Sequence, residues 1–227
     1  MGASAHNPRA TVIVLALATT LALAGCGGGD DSEPTTTVGT QETDCEEVAP
    51  AAPKRVNLRP TKTRIESGRD IAATVDTNCG SFLINLDTRT SPKTVSSFVH
   101  LVEEGVYDGT AFHRVVPSFL VQGGDPTAEG DGDPGYTIIE RPPPNTAYTQ
   151  RTVAMAKSPV EPDGASGSQF FVVTAIDAGL SPQYALLGKV TEGYAAVERM
   201  EALAPADPAA GEEPTIPVVI SDVTLDR

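Results

Sequence analysis

An arginine and a glutamine stand inside the apolar run FHRVVPSFLVQGGD, which spans Phe112 to Asp125. A buried strand accounts for Val115, Phe119 and Val121 but gives no reason for Arg114 or Gln122, because arginine is almost never fully buried without a partner. Unbroken strand alternation puts Arg114 and Val116 on one face, and Pro117-Ser118 interrupts the run, so the second half need not keep that phase. The pattern predicts a floor of apolar side chains with one guanidinium and one amide over it. Such a surface suits a small apolar ring attached to a peptide group: the floor grips the ring and the polar pair meets the flanking amide.

Other chemistries are poorly served. GDGDPG, Gly130 to Gly135, carries the letters of a phosphate-binding loop. Asp131 and Asp133 would repel phosphate, however, Pro134 offers no N–H, and strand-like YTII follows where a helix must begin. It reads as a plain loop. GASGS, Gly164 to Ser168, lacks the final glycine of a nucleophile elbow. A Ser-His-Asp site would require His113, and Arg114 is a poor neighbour for a general base. No His, Cys and carboxylate cluster has ligand spacing, so neither metal nor cofactor is expected. A formal net charge of -14 argues against nucleic acid as a partner, since that binding rewards clustered Lys and Arg.

The elements that must hold this surface are mostly short strands. IAATV and SFLINL each alternate apolar and polar residues around a turn at 78–80, which predicts a hairpin. A helix follows, with Ser91 as N-cap, Pro92 at its first position and Gly105 at its end. Val95, Phe98, Val99 and Val102 form its apolar face, and His100 lies off that face, in solvent. Further strands are expected at 152–156, 169–174, 185–190 and 217–225, with a second helix near 194–203. Loops rich in Gly, Pro and Asp separate them at 123–135, 140–149, 157–168 and 205–215. Many short strands and only two helices indicate an all-β barrel or sandwich with helical plugs.

The run FHRVVPSFLVQGGD resembles the signature of the cyclophilin-type peptidyl-prolyl cis–trans isomerases. VAMAKS (Val153 to Ser158), GSQFFVVTA (Gly167 to Ala175) and LLGKVTEG (Leu186 to Gly193) agree with the same family in order and spacing. The similarity runs from about Ile71 to Leu225. It implies an all-β fold, a closed eight-stranded antiparallel barrel capped by two α-helices. It also implies that Arg114 is catalytic and that Gln122 binds substrate. Phe119, Leu120 and Phe171 match the walls of a proline pocket, with Leu120 replacing a usual Met. Gln169 matches the pocket's polar edge, Ala156 and Lys157 the strand that pairs with substrate backbone, and His113 the substrate-side histidine beside the arginine. Three departures are visible. Lys157 stands for a common Asn; Gly179 stands for a frequent Trp, which implies weak cyclosporin binding; and Tyr184 and Leu187 stand for a His and an aromatic at the pocket rim. The implied activity is isomerisation of Xaa–Pro bonds, and the alternative is a non-catalytic module that holds proline-containing segments.

The N-terminus implies where this happens. Arg9 precedes the short apolar stretch ATVIVLALATTLALAG, and LAGC (Leu23 to Cys26) resembles a bacterial lipobox, in which the cysteine is lipidated. An ordinary secretory signal with a chance Cys is the alternative. The expected organisation is a lipoprotein signal peptide at 1–25, a disordered acidic Gly/Pro/Thr tether at 26–53 and the isomerase domain at 54–227. Such a tether has an r.m.s. span of about 30 Å. Lipid on Cys26 would anchor the protein to the outer side of the bacterial cell membrane without spanning it, as a monomer acting on proline segments of exported proteins. Outside the cytoplasm, Cys45 and Cys79 point to a disulfide rather than a metal site, with two free thiols as the alternative.

Overall fold

Strand alternation builds the first hairpin of the computed structural model, which describes residues 45–227. In β1 (Ala72–Thr77) the residues Ala73 and Val75 point inward, as do Phe82, Ile84 and Leu86 in β2 (Gly80–Leu86). Thr77 pairs with Gly80 across a tight turn. Helix α1 (Pro92–Glu103) follows, then β3 (Ala111–Val116), β4 (Leu120–Asp125), β5 (Ile138–Ile139), β6 (Thr152–Met155), β7 (Ala165–Ser166), β8 (Phe170–Val173), β9 (Leu186–Glu192), helix α2 (Tyr194–Glu201) and β10 (Ile220–Asp226). Eight strands form one sheet in the order β10-β1-β2-β9-β6-β8-β4-β3, every pairing antiparallel, while β5 and β7 pair separately.

The ladder is open, which corrects the closed barrel expected from the sequence. Its edge strands meet only around an isolated bridge, Ala111↔Val219. There the Phe112 N–H donates to the Val218 carbonyl and the Ile220 N–H to the Thr110 carbonyl. Competing partners explain the gap. The Val115 N–H goes to the carbonyl of Glu212, and the Val219 N–H goes to the Asn78 side chain in the β1–β2 turn.

Helix α1 ends as its sequence suggests but begins differently. At the C-terminus Gly105 adopts φ 65°, and the Gly105 and Val106 N–H groups close on the carbonyls of Val102 and Leu101, a Schellman arrangement. At the N-terminus the Ser91 side chain makes no capping bond. The Glu140 carboxylate takes the N–H groups of Lys93 (3.2 Å) and Thr94 (2.7 Å) instead, satisfying orphan donors with a charge that suits the helix dipole. His100 is half-buried against the Arg59 carbonyl (3.2 Å) rather than solvated.

Two apolar clusters lie on opposite faces of the sheet. The main core holds Phe82, Phe98, Phe112, Phe170 and the inner faces of both helices. A smaller one gathers Leu120, Tyr148, Ala154, Phe171, Val173 and Ala175. Strand β8 serves both, Phe170 and Val172 facing one and Phe171 and Val173 the other, so all four residues are buried. This is why its sequence is a continuous apolar run rather than an alternating one.

Residues 45–70 run along the outside as a strap. Cys45 and Cys79 form a disulfide with Cα atoms 4.2 Å apart, and the Glu46 N–H donates to the Asn78 carbonyl at 2.9 Å. Farther on, Lys54 and Leu58 donate to the carbonyls of Pro126 and Pro134, each at 2.8 Å. Residues 45–53, grouped with the tether by composition, are therefore held on the fold at their start. The signal segment, Cys26 and the tether up to residue 44 lie outside the described residues.

Candidate active site

Two irregularities in the β3–β4 ladder put Arg114 where it is. Phe112 pairs with Gly123 and Arg114 with Gln122, so His113 is an extra residue on β3. The extra residue shifts the phase of the strand: Phe112 and Val115 enter the main core while Arg114 and Val116 turn outward together. On β4, Gly124 is the extra residue, at φ 83°. A Cβ on Gly123 would lie 2.7 Å from the Ala111 carbonyl oxygen, so the close approach of the strands excludes any side chain there. The two glycines after Gln122 are required by this double bulge.

A chain of polar contacts starts at the arginine. Its Nη1 donates to Gln122 Oε1 at 3.4 Å, and Gln122 Nε2 donates to Gln169 Oε1 at 2.9 Å. Gln169 Nε2 then donates to the carbonyls of Gly130 (3.0 Å) and Gly132 (3.1 Å). The other edge of the Arg114 guanidinium is paired with the Glu212 carboxylate. The loop that does not suit phosphate thus supplies the last acceptors of the chain.

Arg114 and Gln122 flank a cavity of about 170 Å³ lined also by Phe119, Leu120, Ala156, Lys157, Phe171, Leu180 and Tyr184. Eight of the residues expected from sequence (Arg114, Phe119, Leu120, Gln122, Ala156, Lys157 and Phe171, with Tyr184 at the rim) come together here. His113 and Gln169 do not line it: Gln169 stands at its edge, bonded to Gln122, and His113 lies beside Arg114 on β3. His113 is the half-buried bulge residue, its ring near Gly130, and burial pushes its imidazole pKa down. Gln169 lines a neighbouring cavity of about 440 Å³, which shares Gln122, Ala156 and Lys157 with the first. Leu187, expected at the rim, is buried in the main core because it faces inward on β9. Lys157 folds back over its own loop, donating to the carbonyls of Ser158 and Glu161, and lies 5.8 Å from the centre of the Tyr184 ring.

Three supports escaped the sequence reading. Leu180 closes the pocket from a loop with no periodicity to betray it. Tyr148, fully buried, donates its hydroxyl to the Tyr184 carbonyl (2.6 Å) and accepts from the Tyr184 N–H (2.9 Å), fixing the rim. Burial pushes the Tyr148 phenol up to about 12. Tyr184 then meets Phe171 edge-on, centroids 5.4 Å apart.

Asp125, also fully buried, is the third. Its carboxylate accepts from the Thr127 N–H (2.7 Å) and hydroxyl (2.9 Å), the Gly130 N–H (2.5 Å) and the Gly132 N–H (3.1 Å). Burial alone would raise this carboxyl, but those hydrogen bonds win and hold its pKa below the ordinary aspartate value. The contribution to stability is therefore complete above the ordinary aspartate pKa and is lost as pH falls through the depressed one. Asp125→Ala is expected to destabilise the fold by about 3 kcal/mol, because several buried donors lose a charged acceptor. Urea melts would show it, and an unchanged midpoint would mean that the loop holds itself.

The comparisons with known proteins agree with this geometry. The family model described as "Cyclophilin type peptidyl-prolyl cis-trans isomerase/CLD" matches residues 72–225. Peptidyl-prolyl cis-trans isomerase B of Streptomyces anulatus is 36% identical over 172 residues, covering 68% of this chain and 95% of the relative. Peptidyl-prolyl cis-trans isomerase A of Mycobacterium tuberculosis is 33% identical over 168 residues, covering 67% and 91%. A cyclophilin-type isomerase from Cryptosporidium parvum, solved by crystallography, superposes with a TM-score of 0.63 at 27% identity, covering 70% of this chain and 99% of its own. The same Cryptosporidium parvum isomerase, crystallised in the presence of the dipeptide Ala-Pro, superposes with a TM-score of 0.61. With the family model spanning the whole sheet and the polar chain standing over an apolar cavity, this chain belongs to the cyclophilin-type peptidyl-prolyl cis–trans isomerases.

Proposed function

We propose that the chain accelerates rotation about Xaa–Pro bonds in exported proteins, with Arg114 stabilising the twisted amide. The observation that carries this reading is the Arg114–Gln122 pair at the wall of the cavity built by Phe119, Leu120 and Phe171. A peptide bond resists rotation by about 18–20 kcal/mol because of amide resonance. As the prolyl amide twists, resonance is lost, and its nitrogen pyramidalises and becomes a hydrogen-bond acceptor. A guanidinium N–H directed at that nitrogen stabilises the transition state more than either planar isomer. No nucleophile or cofactor is required.

The other residues bind and orient. Phe119, Leu120, Phe171 and Leu180 hold the pyrrolidine ring and exclude water, and Gln122 meets the adjoining carbonyl. Ala156 already donates its N–H to the Gln169 carbonyl (2.9 Å), so its own carbonyl is the group it can offer substrate backbone. Gln169 supports Gln122 from behind, and His113 sets the phase of the strand carrying Arg114. A protease-coupled assay on an Ala-Pro peptide with the full chain tests the reading. Acceleration of the cis-to-trans phase supports it, and binding without acceleration would assign the non-catalytic module instead.

The same proposal places the domain outside the cell membrane as a monomer tethered by lipid on Cys26. The lipobox-like LAGC and the acidic, Gly- and Pro-rich segment after it support this. No helix among the described residues is long and apolar enough to cross a membrane. A diacylglycerol contributes two chains, at about 0.8 kcal/mol per buried CH₂. Cys26→Ala is expected to abolish lipid labelling without changing isomerase rate. The variant should be soluble, or stay embedded with its signal uncleaved. Wild-type protein recovered soluble and unlabelled would refute the anchor.

A further inference from the structure

We infer that Glu212 is a positioning residue for Arg114, holding one edge of the guanidinium so that the other faces the prolyl cavity. This rests on the reading of Arg114 as the donor to the twisted amide. Arginine presents five N–H groups in a rigid planar fork. Glu212 takes two of them: Oε2 accepts from Nε and Oε1 accepts from Nη2, the latter at 3.3 Å. A bidentate pair of this kind fixes the plane of the group as well as its position. Gln122 takes a third, on Nη1, at 3.4 Å. These contacts leave one N–H on each terminal nitrogen for a bound peptide.

The contact supports the guanidinium from behind. Arg114 and Gln122 line the cavity and Glu212 does not, so the carboxylate leaves the ring's place open. The loop that carries it is tied down nearby: the Glu212 carbonyl accepts from the Val115 N–H on the same strand as Arg114 (2.6 Å), and the Thr215 N–H donates to the Leu203 carbonyl (2.8 Å). One backbone bond and one bidentate side-chain pair thus join residue 212 to two consecutive residues of β3. The Arg114 and Glu212 side chains remain 32% and 51% exposed, so the pair adds little to fold stability. What it restricts is a long, rotamer-rich side chain whose remaining anchor, to Gln122, is long. The Arg114 hydrogen bond holds the Glu212 pKa below the ordinary value, so the carboxylate stays ionised at neutral pH.

The test compares Glu212→Ala, Glu212→Gln, Arg114→Ala and the Arg114→Ala/Glu212→Ala double variant, each in the full chain, by isomerase kinetics and thermal melting. Glu212→Ala should lower kcat about tenfold, within what misplacing a catalytic group costs, with KM and Tm unchanged. Glu212→Gln keeps one acceptor oxygen and should recover part of the rate. The double variant should be no slower than Arg114→Ala, because Glu212 acts only through Arg114. A wild-type kcat in Glu212→Ala beside a slow Arg114→Ala would overturn the positioning role while leaving the donor intact. A raised kcat would mean that the contact restrains rather than positions. A wild-type rate in Arg114→Ala would instead remove the donor reading on which this role depends.

Discussion

Arg114→Ala should lower kcat/KM for an Xaa–Pro peptide by a factor on the order of 10²–10³, the usual consequence of removing one preorganised donor. Folding should be unaffected. The guanidinium is partly exposed, its ion pair with Glu212 is a surface pair, and neither of its side-chain partners depends on it for burial. Peptide affinity should also survive, since the proposed ring site is walled by the apolar Phe119, Leu120 and Phe171 rather than by charge. A loss confined to kcat is the signature of an interaction made only in the transition state. Arg114→Lys should recover little, because an ammonium lacks the planar fork that Glu212 and Gln122 grip from two sides. Kinetics on both variants, with peptide affinity measured separately, would reveal the split. A fall in affinity matching the fall in rate would show that Arg114 binds substrate rather than its twisted form.

Opening the Cys45–Cys79 disulfide should have the second-largest effect, on stability rather than rate. The bridge joins residues 34 apart in sequence, and closing a loop of that length stabilises by about 3–4 kcal/mol on chain-entropy grounds. Both cysteines are buried, so the native state also loses packing when the first turn of the strap lifts. For a domain of this size the shift in Tm should be on the order of 10 °C. The isomerase rate at 25 °C should change less than about twofold, because the bonds from Lys54 and Leu58 hold the 126–135 loop independently of the bridge. Melting the Cys45→Ser/Cys79→Ser double variant beside the wild type, with and without reductant, gives the comparison. Equal melting temperatures in all samples would show that the strap is held without the covalent link.

Local pattern explains which parts of this architecture could be read in advance. Alternation in β1 and β2 and the apolar face of α1 with Gly105 behind it are short-range features, and they match the structure except that α1 also buries Leu101 while Val102 is only partly covered. The walls of the pocket were legible because they fall in contiguous motif blocks. What could not be read depends on contacts between distant segments. That His113 is a bulge is a matter of the register between β3 and β4, with Phe112 opposite Gly123 and Arg114 opposite Gln122, which no single-strand pattern contains. The cap on α1 comes from Glu140, far along the chain from the Ser91 that looked suited to it. Glu212, Tyr148 and Leu180 sit in loops, where neither period marks a residue as a support. Leu187 misled for a related reason. Its block matched, yet its inward phase on β9 places it in the main core while Leu186 packs with the outer cluster.

The most direct test of the account measures exchange on the bound peptide itself. In two-dimensional exchange NMR, a proline peptide too short to fold shows separate cis and trans signals that interconvert in tens to hundreds of seconds without help. With a substoichiometric amount of the full chain, cross-peaks between the two sets should grow within a fraction of a second. They should disappear with Arg114→Ala while line broadening still reports binding. Broadened signals without exchange in the wild-type protein would contradict the account, leaving a pocket that holds proline segments and does not turn them.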